Sequence, residues 1–266
     1  MTWTKMKAKA LAGIGILALL AAAIFVKWAL FPSVKEDYFA MNDRSLRQAG
    51  SGLVVVRPTR FAKSHFNGII STIVPSFGKP IRRIMGRNVT FNDLIAAAYG
   101  QNTGRVVLPS DAPATNFDFL VTVRSHPEQR LQEAIRKNLG FVARLESRNV
   151  EVLALKMENP NLPGLVVSDA GKKENVSYDD GKLRFTHVRV GALAGGLEQA
   201  FGTPVVDRTG LTNVYDFSLA WGPEVQEQLR NGPTARALLN KIVKDWGLAL
   251  KPDTAPVEML VVKKGD

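Results

Sequence analysis

Two phrases share one word order: ATNFDFLVTV, Ala114–Val123, and LTNVYDFSLAW, Leu211–Trp221. Each sets Thr-Asn ahead of an aromatic residue, then Asp-Phe, then an apolar run that reads as a strand. The likeness extends outward. Setting Gly140 on Gly247, an offset of 107, puts Val150 on Val257, Glu151 on Glu258, Leu153 on Leu260 and Lys156 on Lys263 with no gap. An offset of 102 puts Tyr99 on Phe201 and Gly100 on Gly202, and one of 98 puts Asp118 on Asp216 and Phe119 on Phe217. The offset changes only at expected turns or strand starts, where length is cheap. An internal repeat is the reading.

The repeat fixes the expected elements. NVTFNDLIAAAYG, from Asn88, reads as a helix capped by Thr90 with Asp93 three residues on and closed by Gly100. Ser125, with Pro127 and Glu128 behind it, is expected to open a second helix with Leu131, Ala134, Ile135 and Leu139 on its apolar stripe. FVARL and VEVLALK read as two strands across a polar turn at Ser147–Asn149. The order recurs from LRFTHVRV, through a helix with Gly195 and Gly196, to a helix over Thr234–Trp246 and the strands LALK and VEMLVVK. The fold expected is α+β: two pseudo-repeated β-α-β-β-α-β-β modules behind an N-terminal transmembrane helix. The divisions are 1–32 anchor or signal peptide, 33–52 a polar tether with some helix, 53–157 first module, 158–182 a connector with one strand at Leu165–Val167, and 183–266 second module. Residues between Pro58 and Asn88 read as irregular, broken by Gly68, Pro75, Gly78 and Pro80.

At the N-terminus Lys5, Lys7 and Lys9 precede an uncharged run, Leu11–Val26, followed by Lys27, Trp28 and Phe31. A basic flank, an apolar run and interfacial aromatics predict a membrane-inserting segment with its N-terminus in the cytoplasm. Residues 10–31 are long enough to span if Lys27 snorkels; cleavage after Ala21–Ala23 is the alternative. Either way the bulk of the chain is expected outside the bacterial inner membrane, in the periplasm. Beyond residue 32, 31 Lys+Arg stand against 24 Asp+Glu, a balance of +7. Outside the cytoplasm this favours an anionic surface or an acidic partner, not nucleic acid. The densest basic stretch is KPIRRIMGR, and Lys79, Arg82, Arg83 and Arg87 are its candidate binding residues.

Catalytic vocabulary is sparse. There is no cysteine, which removes thiolate chemistry, disulfides and thiolate-bound zinc. His65, His126 and His187 show no metal-ligand spacing, and no nucleophile elbow, phosphate loop or dinucleotide fingerprint occurs. No catalytic residue, metal or cofactor is therefore assigned. Asp118 and Asp216 are expected to accept backbone N–H bonds, while Phe119 and Phe217 enter a core. An enzyme would have to assemble its site from Asp118, Asp216, Glu151, Glu258 and the histidines.

FNDLIAAAYG, PVVDRTGLTNVYDFSLAW and APVEMLVV together resemble the soil-associated bacterial proteins, a domain of unknown function. The matching words are Arg57-Pro58, Ala98–Gly100, Val205–Leu211, Tyr215–Phe217 and Ala255–Glu258, with a departure between Arg60 and Arg87. In element order each half also resembles the short N-terminal module of secretins and TonB-dependent receptors, which implies an exported protein-docking role. The expectation is a membrane-anchored, non-enzymatic module that binds an envelope protein. An envelope hydrolase, or a binder of anionic polymer or lipid, is the alternative.

Overall fold

The computed structural model describes residues 35–63, 67–75, 80–169, 171–220, 222, 224–225 and 232–265, with backbone only for 232–236. The expected anchor, residues 1–32, lies outside the described residues, as do Lys79 and His65. Among the described residues no helix is long and apolar enough to cross a membrane.

The fold is mixed α+β. A 3-10 turn, Glu36–Phe39, and helix α1, Asp43–Gln48, come first. Then follow β1 (Val54–Pro58), β2 (Gly68–Val74), β3 (Ile81–Val89), α2 (Phe91–Tyr99), β4 (Val106–Val107), β5 (Phe117–Val121), α3 (Pro127–Leu139) and β6 (Phe141–Met157). The same eight-element order returns as β7 (Val166–Val167), β8 (Asn175–Asp179), β9 (Lys182–Arg189), α4 (Val190–Phe201), β10 (Val205–Asp207), β11 (Val214–Ala220), α5 (Gly232–Asp245) and β12 (Leu248–Lys264). Sheet order repeats as well: β1-β5-β3-β2 in one sheet and β7-β11-β9-β8 in another. A third sheet, β10-β6-β12-β4, exchanges strands between repeats. In it β4 of the first repeat pairs parallel with β12 of the second, and β10 pairs parallel with β6.

The repeating order is β-β-β-α-β-β-α-β, which corrects the expected one at three places. The stretch expected to be irregular is an antiparallel hairpin, β2 on β3. The connector holds the strand expected at Leu165–Val167, as β7, and in addition β8, whose hairpin to β9 turns through Asp180 and Gly181 with φ of 48° and 68°. Both central residues at positive φ suit the right-handed twist of the strands, and Asp-Gly is a strong signal for such a turn. Its charged surroundings concealed it. Finally, β6 and β12 are single 17-residue strands, not pairs of short ones. The polar word at Ser147–Asn149 marks exposed strand, where Glu146 bonds both Arg144 and Arg148 at two-residue spacing along one face. Pro252 and Pro256 lie outside the part of β12 that β4 covers, at Leu260 and Val261, so their missing N–H costs no bond on that side.

The chain forms two compact units. The first comprises residues up to 100, 108–143 and 262–266. Thr90 and Asp93 form the expected capping box on α2, and Gly100 and Gly140 close α2 and α3 at positive φ. Helix α3 departs from expectation. Pro127 takes its first turn, and His126, in the left-handed region and without a side-chain cap bond, stands where Ser125 was expected. The tether is also corrected. Phe39, Leu46 and Ala49 are buried against Val55, Met85 and Leu120, so this segment forms a layer on one face of the sheet.

The second unit comprises residues 101–107 and 144–261. Its core joins Leu197 of α4, Tyr215 and Phe217 of β11, and Leu239, Ile242, Val243 and Trp246 on and after α5. Phe217 stacks on Phe185 at 4.7 Å and meets the Trp246 indole at 4.9 Å. Trp246→Ala removes this buried aromatic and is expected to lower stability by about 3–5 kcal/mol in urea unfolding. A loss below about 0.5 kcal/mol contradicts the packing.

Candidate functional site: an apolar groove beside an edge strand

Strand β8 is the free edge of its sheet among the described residues. Its two-residue turn makes Asp179 and Lys182 the closing hydrogen-bonded pair. Counting back, Val176 and Tyr178 occupy non-hydrogen-bonded pairs, so their N–H and C=O groups turn outward. Their side chains lie on the same sheet face as Leu183, Phe185, Phe217 and Leu219, because cross-strand neighbours share a face. Yet Val176 is 53% and Tyr178 61% exposed. Beside them opens a groove of about 380 Å³ between β8, β9, α4 and α5. Leu183, Phe185, Leu193, Leu197, Leu239 and Trp246 are among its lining residues, with Glu174 at one side. That size and lining suit an apolar ligand or side chains. The first repeat's edge strand, β2, likewise exposes Ile69 and Ile73. Exposed strand edges with apolar residues are a hazard that proteins commonly block, so two edges unpaired among the described residues are informative.

The repeated aspartates do structural work. Asp118 is fully buried, and Oδ1 accepts from Thr59 Oγ1 at 2.7 Å and Asn88 N at 3.0 Å. Its Oδ2 accepts from Arg60 N at 3.0 Å and stands 3.5 Å from Arg57 Nε. Asp216 repeats the pattern: Oδ1 accepts from His187 N at 2.9 Å, and the Ser168 hydroxyl bonds to the carboxylate. Asn88 and His187, with φ of 51° and 58°, sit at matching bulges, where β3 and β9 each have one residue more than their partner strand. A bulge leaves an N–H without a ladder partner, and the carboxylate supplies one.

Ser168, His187 and Asp216 therefore come together, but not as a charge relay. His187 Nδ1 lies 3.3 Å from Ser168 Oγ, whereas the carboxylate bonds the histidine backbone and Lys172 Nζ, at 2.7 Å. Glu151 and Glu258 are exposed on β6 and β12. Among the described residues no group of three or more acidic or histidine side chains can hold a metal.

Strand alternation divides the basic stretch. Arg82 points out and pairs with Glu128 at 2.6 Å. Arg83, 5% exposed, points in and donates to Leu46 O, Arg47 O and Ala49 O, at the C-terminal end of α1. Arg87 donates to Phe39 O and lies 4.4 Å over the Phe61 ring. Both of these arginines hold the protein's own N-terminal layer, whose carbonyls they satisfy where the helix ends.

One ion pair was not anticipated from the sequence. Glu198 on α4, 1% exposed, receives Arg105 Nε and Nη2 at 2.7 and 2.8 Å, Asn102 Nδ2 at 2.9 Å and Val205 N at 3.1 Å. Burial pushes the Glu198 pKa up, but these donors outweigh it and hold it below the ordinary value. The sequence signal was a single acid on the buried side of an otherwise apolar helix. The pair fixes residues 102–105 to α4 and, with a bidentate partner already in place, serves the fold.

These features define a two-repeat α+β protein with an apolar groove at a free strand edge. The chain belongs to the family described as a protein of unknown function (DUF3738), which matches residues 92–264. No curated protein and no solved structure matches the chain.

The Lys172 ammonium, then Ser168 and the His187 N–H, hold Asp216 at about 2, below its ordinary 3.8. Its contribution to stability is present above pH 3.8 and is lost as pH falls toward 2. Asp216→Asn is expected to flatten the stability decline in that window, as read from urea unfolding at a series of pH values. Asp118→Asn is expected to cost about 3 kcal/mol or more at neutral pH, because it disrupts a buried, multiply bonded carboxylate.

Proposed function

We propose that this protein is a non-enzymatic docking module of the bacterial envelope, anchored in the inner membrane by residues 10–31, with its two-repeat body outside the cytoplasm. The body binds a polypeptide by adding one of its strands to an open edge. The observation behind this reading is β8, with outward backbone groups at Val176 and Tyr178 and exposed side chains on the same residues. Strand addition draws affinity from main-chain bonds and specificity from alternate side chains. Exposed Ile69 and Ile73 on β2 give the first repeat a second edge of the same kind. The basic flank and uncharged run within residues 1–32, and the positive balance of the chain beyond them, support an envelope setting. An acid–base enzyme is less well supported, because Asp216 is engaged by a backbone N–H and Lys172, and Asp118 repeats the bulge contact. A polyanion site on the basic stretch is likewise disfavoured by the internal bonds of Arg83 and Arg87.

A photo-crosslinking residue at Val176 or Tyr178 is expected to trap a polypeptide in cells, whereas one at exposed Glu133 is not. Val176→Pro keeps an apolar side chain but removes one outward N–H, and is expected to abolish trapping from position 178. Equal labelling at all three positions, or trapping indifferent to Val176→Pro, contradicts the reading. Alkaline phosphatase fused after Asp266 should be active in cells and lose activity when residues 1–32 are deleted.

A further inference from the structure

The segment expected to be a tether carries no slack. Glu36 accepts from Arg57 Nη2 and Arg60 Nη1, each at 2.8 Å, and Phe39 O accepts from Arg87 Nη1 at 2.9 Å. Phe39 and Leu46 are fully buried, and the Arg57 guanidinium lies 4.7 Å over the Phe39 ring. Farther along, Arg83 donates to the carbonyls of Leu46, Arg47 and Ala49, and its Nη2 donates to Ser51 Oγ at 3.2 Å. The chain from Glu36 to Ser51 is thus pinned at both of its ends. Held by buried aromatic packing and charge-assisted bonds, it moves with its sheet.

The start of this segment fixes the end of the sheet at which the preceding chain arrives. Arg57 and Arg60 flank Pro58, the last residue of β1. Pro58 pairs with Phe117, the first residue of β5, and Phe117 with Val89, the last of β3. Lys35 therefore stands where β1 and β3 finish and β5 starts. Phe61 packs on Phe39 here, which brings Lys63, two residues on, to the same end. The opposite end carries the pair Val54 and Val121, with Ser125 beyond. Phe31, the last residue of the run 10–31, is four residues from Lys35 in sequence. A chain of that length cannot span more than about 14 Å. Lys35, Arg60 and Lys63 are exposed, and the Glu36 carboxylate is shared by Arg57 and Arg60. On α1, by contrast, the exposed Asp43 and Arg47 pair with each other.

We propose that this end of the first unit, through Lys35, Arg60 and Lys63, rests on the phospholipid headgroups of the membrane that anchors the chain. This rests on the reading of residues 10–31 as an anchor. The partner is a surface of phosphate groups: ammonium and guanidinium groups bond phosphate oxygens, and the attraction is screened by salt. Because the chain from Glu36 onward cannot act as a leash, the unit stands at one distance from the bilayer. The strands of β1-β5-β3-β2 then point away from it. Strand β2 starts at the same end, where Gly68 pairs with Arg87, so a polypeptide added to that edge runs along a line leading out from the headgroups.

The chain has no cysteine, so single cysteines can be labelled one at a time. The full chain carrying Ala62→Cys, Gln48→Cys or Ser125→Cys, all at exposed positions, is labelled with bimane. It is reconstituted into vesicles of phosphatidylethanolamine and phosphatidylglycerol that contain a lipid with a nitroxide on its headgroup, a short-range quencher. Position 62 lies at the proposed contact, position 48 on α1 and position 125 past the far end of β5. Bimane at 62 is expected to lose most of its fluorescence, and at 48 and 125 to keep most of it. Lys35→Gln combined with Lys63→Gln is expected to weaken quenching at 62. Equal quenching at 48 and 62 lays the α1 side on the bilayer and overturns the proposal. So does weak quenching at all three positions, which makes the segment a tether, or quenching at 62 that ignores the double substitution. In those cases a chain that stays with the vesicles through a carbonate wash leaves the anchor standing. A chain that the wash removes refutes the anchor, and the headgroup contact with it.

Discussion

A carboxylate set into each of the two equivalent sheets resolves the same local problem. A bulge in β3 and one in β9 give each strand an extra residue in the left-handed region, with an amide that the ladder cannot satisfy. Asp118 and Asp216 accept those amides and, with their other lone pairs, the hydroxyls of Thr59 and Ser168 just past the ends of β1 and β7. One side chain thereby ties together three segments distant in sequence. Without it, a half-buried backbone N–H would be left with no ladder partner, which costs free energy to the extent that water cannot reach it. The repeated Asp-Phe phrase is the sequence trace of this constraint. Asp faces the bulge and Phe, one residue on, faces the core between sheet and helices.

The same constraint leaves room for divergence around it. In the first repeat Gly86 lies under the Phe119 ring, where any Cβ would collide with the aromatic. In the second the matching position is Phe185, stacked on Phe217. The first repeat buries an extra layer against its sheet, held by the guanidinium groups of Arg83 and Arg87. The second presents Arg184 and Ser218, exposed, at the positions of Met85 and Leu120. Its helix α4 carries an exposed glycine, Gly196, in the wall of the groove. Thus one repeat has invested its surface in internal packing, and the other retains an apolar wall and an accessible edge. That asymmetry is what separates a site from a scaffold in a protein built twice from one plan.

Strand exchange gives the two repeats a shared sheet. Each short strand after the first helix of a repeat pairs with the long last strand of the other. Neither repeat satisfies these strands from its own residues. The compact units consequently cut across the sequence repeats, and residues 101–107 belong with the second half of the chain. The Arg105–Glu198 pair reinforces this: its acid has alanine, Ala96, at the matching position of the first repeat, so the link exists once. The buried pair is better understood as fixing which segment docks on α4 than as a large net gain in stability.

Local chemistry is what the sequence by itself determined. The repeat, the capped helix at Thr90, the glycine ends at Gly100, Gly140, Gly202 and Gly247, and the cores around Phe119 and Phe217 were legible, because each depends on side-chain spacing or on a backbone angle that few residues tolerate. Three things were not legible. Polar words such as Ser147–Asn149 report exposure, which a turn and an open strand share. Arginine charge does not say whether the guanidinium meets solvent or the carbonyls of a distant helix end. A glycine in a helix does not say whether a neighbour fills the space beside it. Only the tertiary structure decided these, since each depends on what another part of the chain brings alongside: the N-terminal layer to Arg83, β12 to β6, and, at Gly196, no described residue at all.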